Sequence, residues 1–232
     1  MSTEMPPTRE SQSEAIQILA TEHWSLLATR ALTYQESLGR VNIFLTILSG
    51  VVIALALVAQ ADHFGVAFIS IAIFMLAVVL VVGVFTVARL MSLNRDDFRW
   101  VLAMNRLRHA YLELHPDLEP SFTTSRFDDL PGALQTLGIE SAGADRLGTT
   151  FHGLQTLPGM LSVIVAAVAG ALGGLIAIGF GAPVVVVLLA GIVAFLVAFL
   201  LMAWWGRRAV RGLDPGLLPR FPSPPKPPTS SP

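Results

Sequence analysis

The chain's five histidines and sixteen carboxylates are its main candidates for chemistry, and one cluster of them has a spacing to consider. His109 and Glu113 stand four residues apart, so on a helix they share a face, and His115 and Asp117 follow closely. Carboxylate and imidazole together are ligands for a divalent metal. The spacing lacks the paired histidines flanking a glutamate that would mark a hydrolytic metal centre. A hydrated helix end is the simpler account, because imidazole suits the negative pole of a helix C-terminus. Asp62-His63 reads as a polar loop tip, and Asp96-Asp97 beside Arg99 as helix-start charge with a local ion pair. Cysteine is absent, which excludes disulfides, thiolate catalysis and Cys-ligated zinc. No nucleophile–base pattern, phosphate-binding glycine loop or deaminase-type metal motif occurs. The expectation is a chain that is not an enzyme, with no catalytic residue, cofactor or metal.

The elements that carry these residues are set by an apolar excess. Of the 232 residues 53% are hydrophobic and 13% charged, about half the charge of a soluble domain. The excess is concentrated in two blocks, 43–91 and 158–205. From Met160 to Ala203 no charge occurs and Ser162 is the only polar side chain. Gly181-Ala182-Pro183 divides that run into segments of about 20 residues, the length that crosses a roughly 30 Å hydrocarbon core. The fold class expected is all-α: a polytopic membrane protein with four transmembrane helices in two hairpins, plus cytosolic amphipathic helices.

In chain order, residues 1–10 read as a disordered start. Residues 11–42 read as a cytosolic amphipathic helix, opened by Ser11 and Glu14 at capping-box spacing and broken or bent near Gly39-Arg40-Val41-Asn42. Residues 43–91 form the first hairpin, with spans at about 43–60 and 65–91. The first span, preceded by some 40 polar or amphipathic residues, would serve as its own uncleaved insertion signal. Residues 92–157 make a cytosolic helical segment. Leu93, Trp100, Met104, Leu107, Tyr111 and Leu114 recur there at helical spacing, Pro116 stops the helix, and Asp128-Asp129 before Pro131 starts a short one to about Leu137. Residues 158–205 form the second hairpin, with spans at about 159–180 and 184–205. Residues 206–232 are a Pro-rich, disordered tail. Its Pro222–Pro225 and Pro225–Pro228 spacings match polyproline ligands, and a solvated tail explains them as well.

Every Lys and Arg lies before Ile43, between Arg89 and Arg146, or after Gly206. The positive-inside rule then places both termini and the middle segment in the cytoplasm, in a multi-pass protein of the cell inner membrane. Trp204-Trp205 ahead of Arg207-Arg208 forms an aromatic anchor at that interface.

The spans hold no ionisable residue apart from Arg89 at the end of the second, which argues against a proton-coupled pump, a voltage sensor or an intramembrane enzyme. A pore lined by hydroxyls needs no charge, and Thr46 and Ser49 are its candidate lining. Ala166, Gly170 and Gly174 form one row of small residues in the third span, and Ala169, Gly173 and Ala177 a second. Ala190, Ala194 and Ala198 answer in the fourth, giving candidate helix-packing faces. Trp100, Arg106, His109 and Glu113 are a candidate surface for a cytosolic protein partner. The other expected partners are the lipid bilayer and further copies of the chain in a homo-oligomer. A net charge of −1 gives no reason to expect nucleic acid.

The stretches Leu48-Ser49-Gly50-Val51-Val52-Ile53-Ala54-Leu55-Ala56-Leu57 and Met104-Asn105-Arg106-Leu107-Arg108-His109-Ala110-Tyr111-Leu112-Glu113-Leu114 resemble those of uncharacterised bacterial four-span membrane proteins. The resemblance covers about Glu22 to Gly138 and implies no assigned activity, cofactor or binding residue. The order of cytosolic helix, two-span hairpin and cytosolic helix is also similar to SLATT-type bacterial effector modules, and that layout implies a membrane-disrupting pore. Here a second hairpin is appended and no sensor domain is present. The two readings carried forward are a non-catalytic scaffold or interaction protein with a cytosolic helical bundle, and a homo-oligomeric pore.

Overall fold

The computed structural model describes residues 9–138, 156–211 and 218–224. Among these every regular element is helical: α1 (Arg9–Asp62), α2 (Val66–Leu114), a 3-10 turn (Pro116–Ser121), α3 (Leu130–Thr136), α4 (Leu157–Gly179) and α5 (Val184–Arg211). Four of them, α1, α2, α4 and α5, are long and apolar enough to cross a membrane. The chain divides into an apolar unit, residues 34–95 and 145–212, and a polar unit, residues 1–33, 96–144 and 213–232. Residues 1–8, 139–155, 212–217 and 225–232, which include most of the N-terminal start and the segment read from sequence as irregular after Gly138, lie outside the described residues.

In the apolar unit the core joins all four long helices. Phe44 of α1 meets Leu76, Val79, Val87, Leu90 and Leu93 of α2, Leu161, Val165 and Val168 of α4, and Met202 of α5. Gly83 lets three helices converge: a Cβ there would lie 2.7 Å from Val165 Cγ2 and 2.9 Å from Phe44 Cε2. Large apolar side chains such as Phe74, Phe85, Leu188 and Leu200 stay exposed, as a helix surface that meets lipid requires.

Gly170, Gly173 and Gly174 lie where α4 and α5 pack. A Cβ on Gly173 would lie 2.7 Å from Ala194 Cβ and 3.1 Å from the Ala190 carbonyl, and one on Gly170 would lie 3.0 Å from the Gly191 carbonyl. Gly174 faces Val187 at ordinary contact distance. Ala166 and Ala169 are buried, whereas Ala177 and Ala198 are half-buried. The Gly/Ala spacing thus does what close backbone approach demands, since no hydrophobic drive separates one apolar helix from lipid. Gly181, at φ 73°, ends α4 in the left-handed conformation that glycine adopts without strain. Ser162 Oγ donates to the Pro158 carbonyl at 2.7 Å and leaves no polar group unpaired.

Two expectations fail here. Residues 39–42 do not break the first helix, because α1 runs unbroken from Arg9 to Asp62. Glu36 supplies the reason: its carboxylate accepts from Arg40 Nε at 2.8 Å, one turn on, and from Arg89 Nε at 3.0 Å on α2. The Arg40 tie spans Gly39 within α1, and the hydrogen bonds from Arg89 and then Arg40 hold the Glu36 carboxyl below the usual carboxylate range. Ser11 is also inside α1 and not at its cap. Asp62, read as part of a loop tip, accepts the Phe68 N–H at 2.7 Å and so caps α2. His63 and Phe64 complete that turn at positive φ, 47° and 61°.

In the polar unit Val101 and Leu102 of α2 pack with Ala133 of α3, flanked by Phe98 and Leu137. Asp129 caps α3 by accepting the Gly132 N–H at 2.9 Å, with Pro131 in the first turn where its missing N–H costs nothing. Arg30 of α1 makes a two-bond pair with Asp97 of α2, at 2.6 and 3.2 Å.

Candidate functional site

The densest polar network among the described residues is built on the last turns of α2, the approach to α3, and Leu218–Pro224. Asp128 is at its centre, and its side chain is almost fully buried. Because Asp129 already caps α3, Asp128 is free to turn its carboxylate the other way. Its Oδ1 accepts the Phe221 N–H at 2.7 Å, and its Oδ2 accepts the Arg220 N–H at 2.9 Å and the Arg106 guanidinium. In return the Asp128 N–H donates to the Phe221 carbonyl at 3.2 Å. One residue thus reads an extended backbone on both sides, as a neighbouring strand would.

The neighbours extend the grip. Asp129 accepts the Ser223 N–H at 2.6 Å and the Ser223 hydroxyl at 2.8 Å. Arg106 NH2 donates to the Leu218 carbonyl at 3.0 Å. The His109 ring stacks on Phe221 with centroids 3.8 Å apart and an interplanar angle of 18°. Burial alone would raise the Asp128 carboxyl. The N–H groups of Arg220 and Phe221, with Arg106, outweigh that and hold it below the usual carboxylate range. The Asp129 carboxyl behaves alike, burial being outweighed by the N–H groups of Gly132 and Ser223.

Residues 218–224 are therefore not a solvated part of the tail. Proline favours an extended backbone, so little conformational entropy remains to be lost on docking, and the N–H groups of Arg220 and Phe221 find the buried Asp128 carboxylate while that of Ser223 finds the half-buried Asp129. The polyproline spacing from Pro225 to Pro228 falls outside the described residues.

The surface expected from Trp100, Arg106, His109 and Glu113 is accordingly not a free one. Arg106 and His109 face the tail. The indole N–H of Trp100 and Nδ1 of His109 are buried and have no hydrogen-bond partner among the described residues. Only Glu113 projects, its side chain 64% exposed and 3.4 Å from His109 Nε2. His115 and Asp117 approach to 3.9 Å. No group of three metal-capable side chains forms among the described residues. Thr46 and Ser49 are both exposed on α1, with Thr46 Oγ1 bonded back to the Asn42 carbonyl at 2.8 Å.

Beneath this face lies a polar core that the apolar spacing did not reveal. Asn105 is fully buried. Its amide donates to the Phe127 carbonyl at 2.7 Å, and its Oδ1 accepts from Arg108 at 2.6 Å and from the Thr136 hydroxyl at 3.0 Å. Asn105 thereby ties α2 to both ends of the 127–136 segment and fixes where Asp128 points. Arg108, also buried, is held below its usual pKa by burial and then by Arg30. His23, against Tyr111, is lowered by burial and then by Arg108.

No protein-family description, curated protein or solved structure matches this chain.

Proposed function

We propose that the chain is a non-catalytic interaction protein of the bacterial inner membrane. Its four spans form two hairpins, and both termini and the polar unit are cytoplasmic. The arrangement of the fifteen basic residues supports that orientation. The observation that carries the functional reading is the face built by Arg106, His109, Asp128 and Asp129. It offers acceptors to the backbone N–H groups of Arg220, Phe221 and Ser223, a donor to a carbonyl, and a flat ring to an aromatic side chain. Those are the elements by which a protein grips an extended peptide, and here the chain's own Leu218–Pro224 is the peptide. A binding partner would carry a similar extended segment with an aromatic residue and exchange with the tail.

A homo-oligomeric pore is the second reading. Thr46, Ser49 and Gly50 are exposed together on α1, and no atom lies near the Gly50 position. Reconstitution into liposomes with an ion-flux assay separates the two. The interaction reading expects no flux from the folded chain, whereas flux that Ser49→Leu abolishes would overturn it in favour of the pore.

A further inference from the structure

Apart from the tail-binding face, the apolar unit has a cleft of about 410 Å³ lined by Ala88, Met91 and Arg95 of α2 and by Trp204, Trp205 and Arg208 of α5. Its chemistry is divided. Ala88 and Met91 give an apolar floor, and Met91 Cε would lie 3.3 Å from a Cβ placed on Gly206, so the helices are close at its base. Arg95 and Arg208 give two full positive charges, and neither has a carboxylate within ion-pair distance among the described residues. The Arg208 guanidinium lies 3.9 Å over the Trp204 ring, which orients it while leaving its N–H donors unspent. Both tryptophans are half exposed, at the end of an apolar segment where indole rings take the level of lipid headgroups.

We propose that this cleft binds the phosphate of an anionic glycerophospholipid. Arg95 and Arg208 hold the phosphate oxygens, the indole N–H groups lie at headgroup level, and the glycerol end of the acyl chains lies along Ala88 and Met91. A free phosphate would satisfy the arginines and leave the apolar floor wet, so the lipid is the better fit to the whole cleft. The site is independent of the tail-binding face and of the orientation of the chain.

The test uses the full chain purified in a mild detergent with added palmitoyl-oleoyl phosphatidylglycerol, and counts retained lipid by native mass spectrometry. Each arginine that leaves the cleft takes a charge-assisted contact to phosphate with it, so Arg95→Gln should lower retention about tenfold and Arg95→Gln with Arg208→Gln about a hundredfold. Arg207→Gln, a neighbouring charge that does not line the cleft, should retain lipid like the wild type. Equal loss with Arg207→Gln would reduce the effect to diffuse interface charge and overturn the site. So would full retention by the double variant, whose melting temperature checks that it folds. Displacement of the lipid by millimolar inorganic phosphate would overturn the lipid as the occupant.

Discussion

Replacing Asp128 by asparagine keeps the shape of the side chain and removes the feature on which the tail contact depends. In the native chain Oδ1 faces one N–H and Oδ2 faces a second N–H and a guanidinium. An amide turns one of those positions into a donor, so at least one charge-assisted hydrogen bond is lost outright and the rest lose the charge of the carboxylate. A bond to a charged group is worth about 1.5–3 kcal/mol and a neutral one about 1 kcal/mol, so the loss is about 3 kcal/mol. That corresponds to on the order of 100-fold in the ratio of docked to free tail. Asp129, the Asp128 N–H and the Phe221 stack remain, so the fold of the polar unit survives. The bond after Arg220 is a trypsin site that the docked backbone shields, and cleavage there tracks the free population when opening is fast. Asp128→Asn in the full chain in nanodiscs should raise the rate of cleavage at Arg220–Phe221 at least about tenfold, followed by mass spectrometry. A rate within about twofold of wild type would show that Asp128 does not hold the tail.

Acid should release the same segment. Asp128 and Asp129 both have lowered pKa values, so their contribution is complete above the ordinary carboxylate pKa and is lost as pH falls through the lowered values. The chain has no cysteine, so paired fluorophores on Gln135→Cys and Pro224→Cys report the separation directly. It should be constant from neutral pH down to the ordinary carboxylate range and lengthen only below that range, and release near the histidine range would contradict the assignment. In the apolar unit Gly83→Leu should destabilise by about 1–3 kcal/mol or more through contact with Val165 and Phe44, read as a melting temperature lower by several degrees. Gly173→Leu should act likewise against Ala194 and Ala190, and no change in either would remove the close approach from the account. Gly39→Ala meets no atom within 4 Å and should stabilise α1 by up to about 1 kcal/mol, raising the melting temperature slightly.

The apolar helices were legible because hydrocarbon thickness imposes a run of about 20 residues, and no local context alters that count. The close contact of α4 and α5 was legible for a related reason: Gly170, Gly173 and Ala194 mark where backbones touch. Gly39 misled because helix propensity is a local term, and the tie from Glu36 to Arg89 lies 53 residues away in sequence. The tail contact was hidden more deeply. Asp128 reaches Arg220 and Phe221 across 92 and 93 residues, and a Pro/Ser-rich composition carries the signature of solvated chain. Two signals were nevertheless present. Asp128-Asp129 offers two carboxylates where one caps α3, and Phe221 is the one aromatic residue after Trp205.

The most direct test of the interaction reading is whether the face built by Arg106, His109, Asp128 and Asp129 binds an extended peptide supplied from outside. The full-length Phe221→Ala chain in nanodiscs, whose own tail has lost its stacked anchor, would be titrated into a fluorescent peptide of sequence Leu218–Pro224 and followed by anisotropy. Binding should saturate, weaken when Asp128→Asn is added, and be far weaker for the wild-type chain, whose tail competes. Absence of binding to Phe221→Ala, with the tail shown free by trypsin cleavage at Arg220, would contradict the interaction reading.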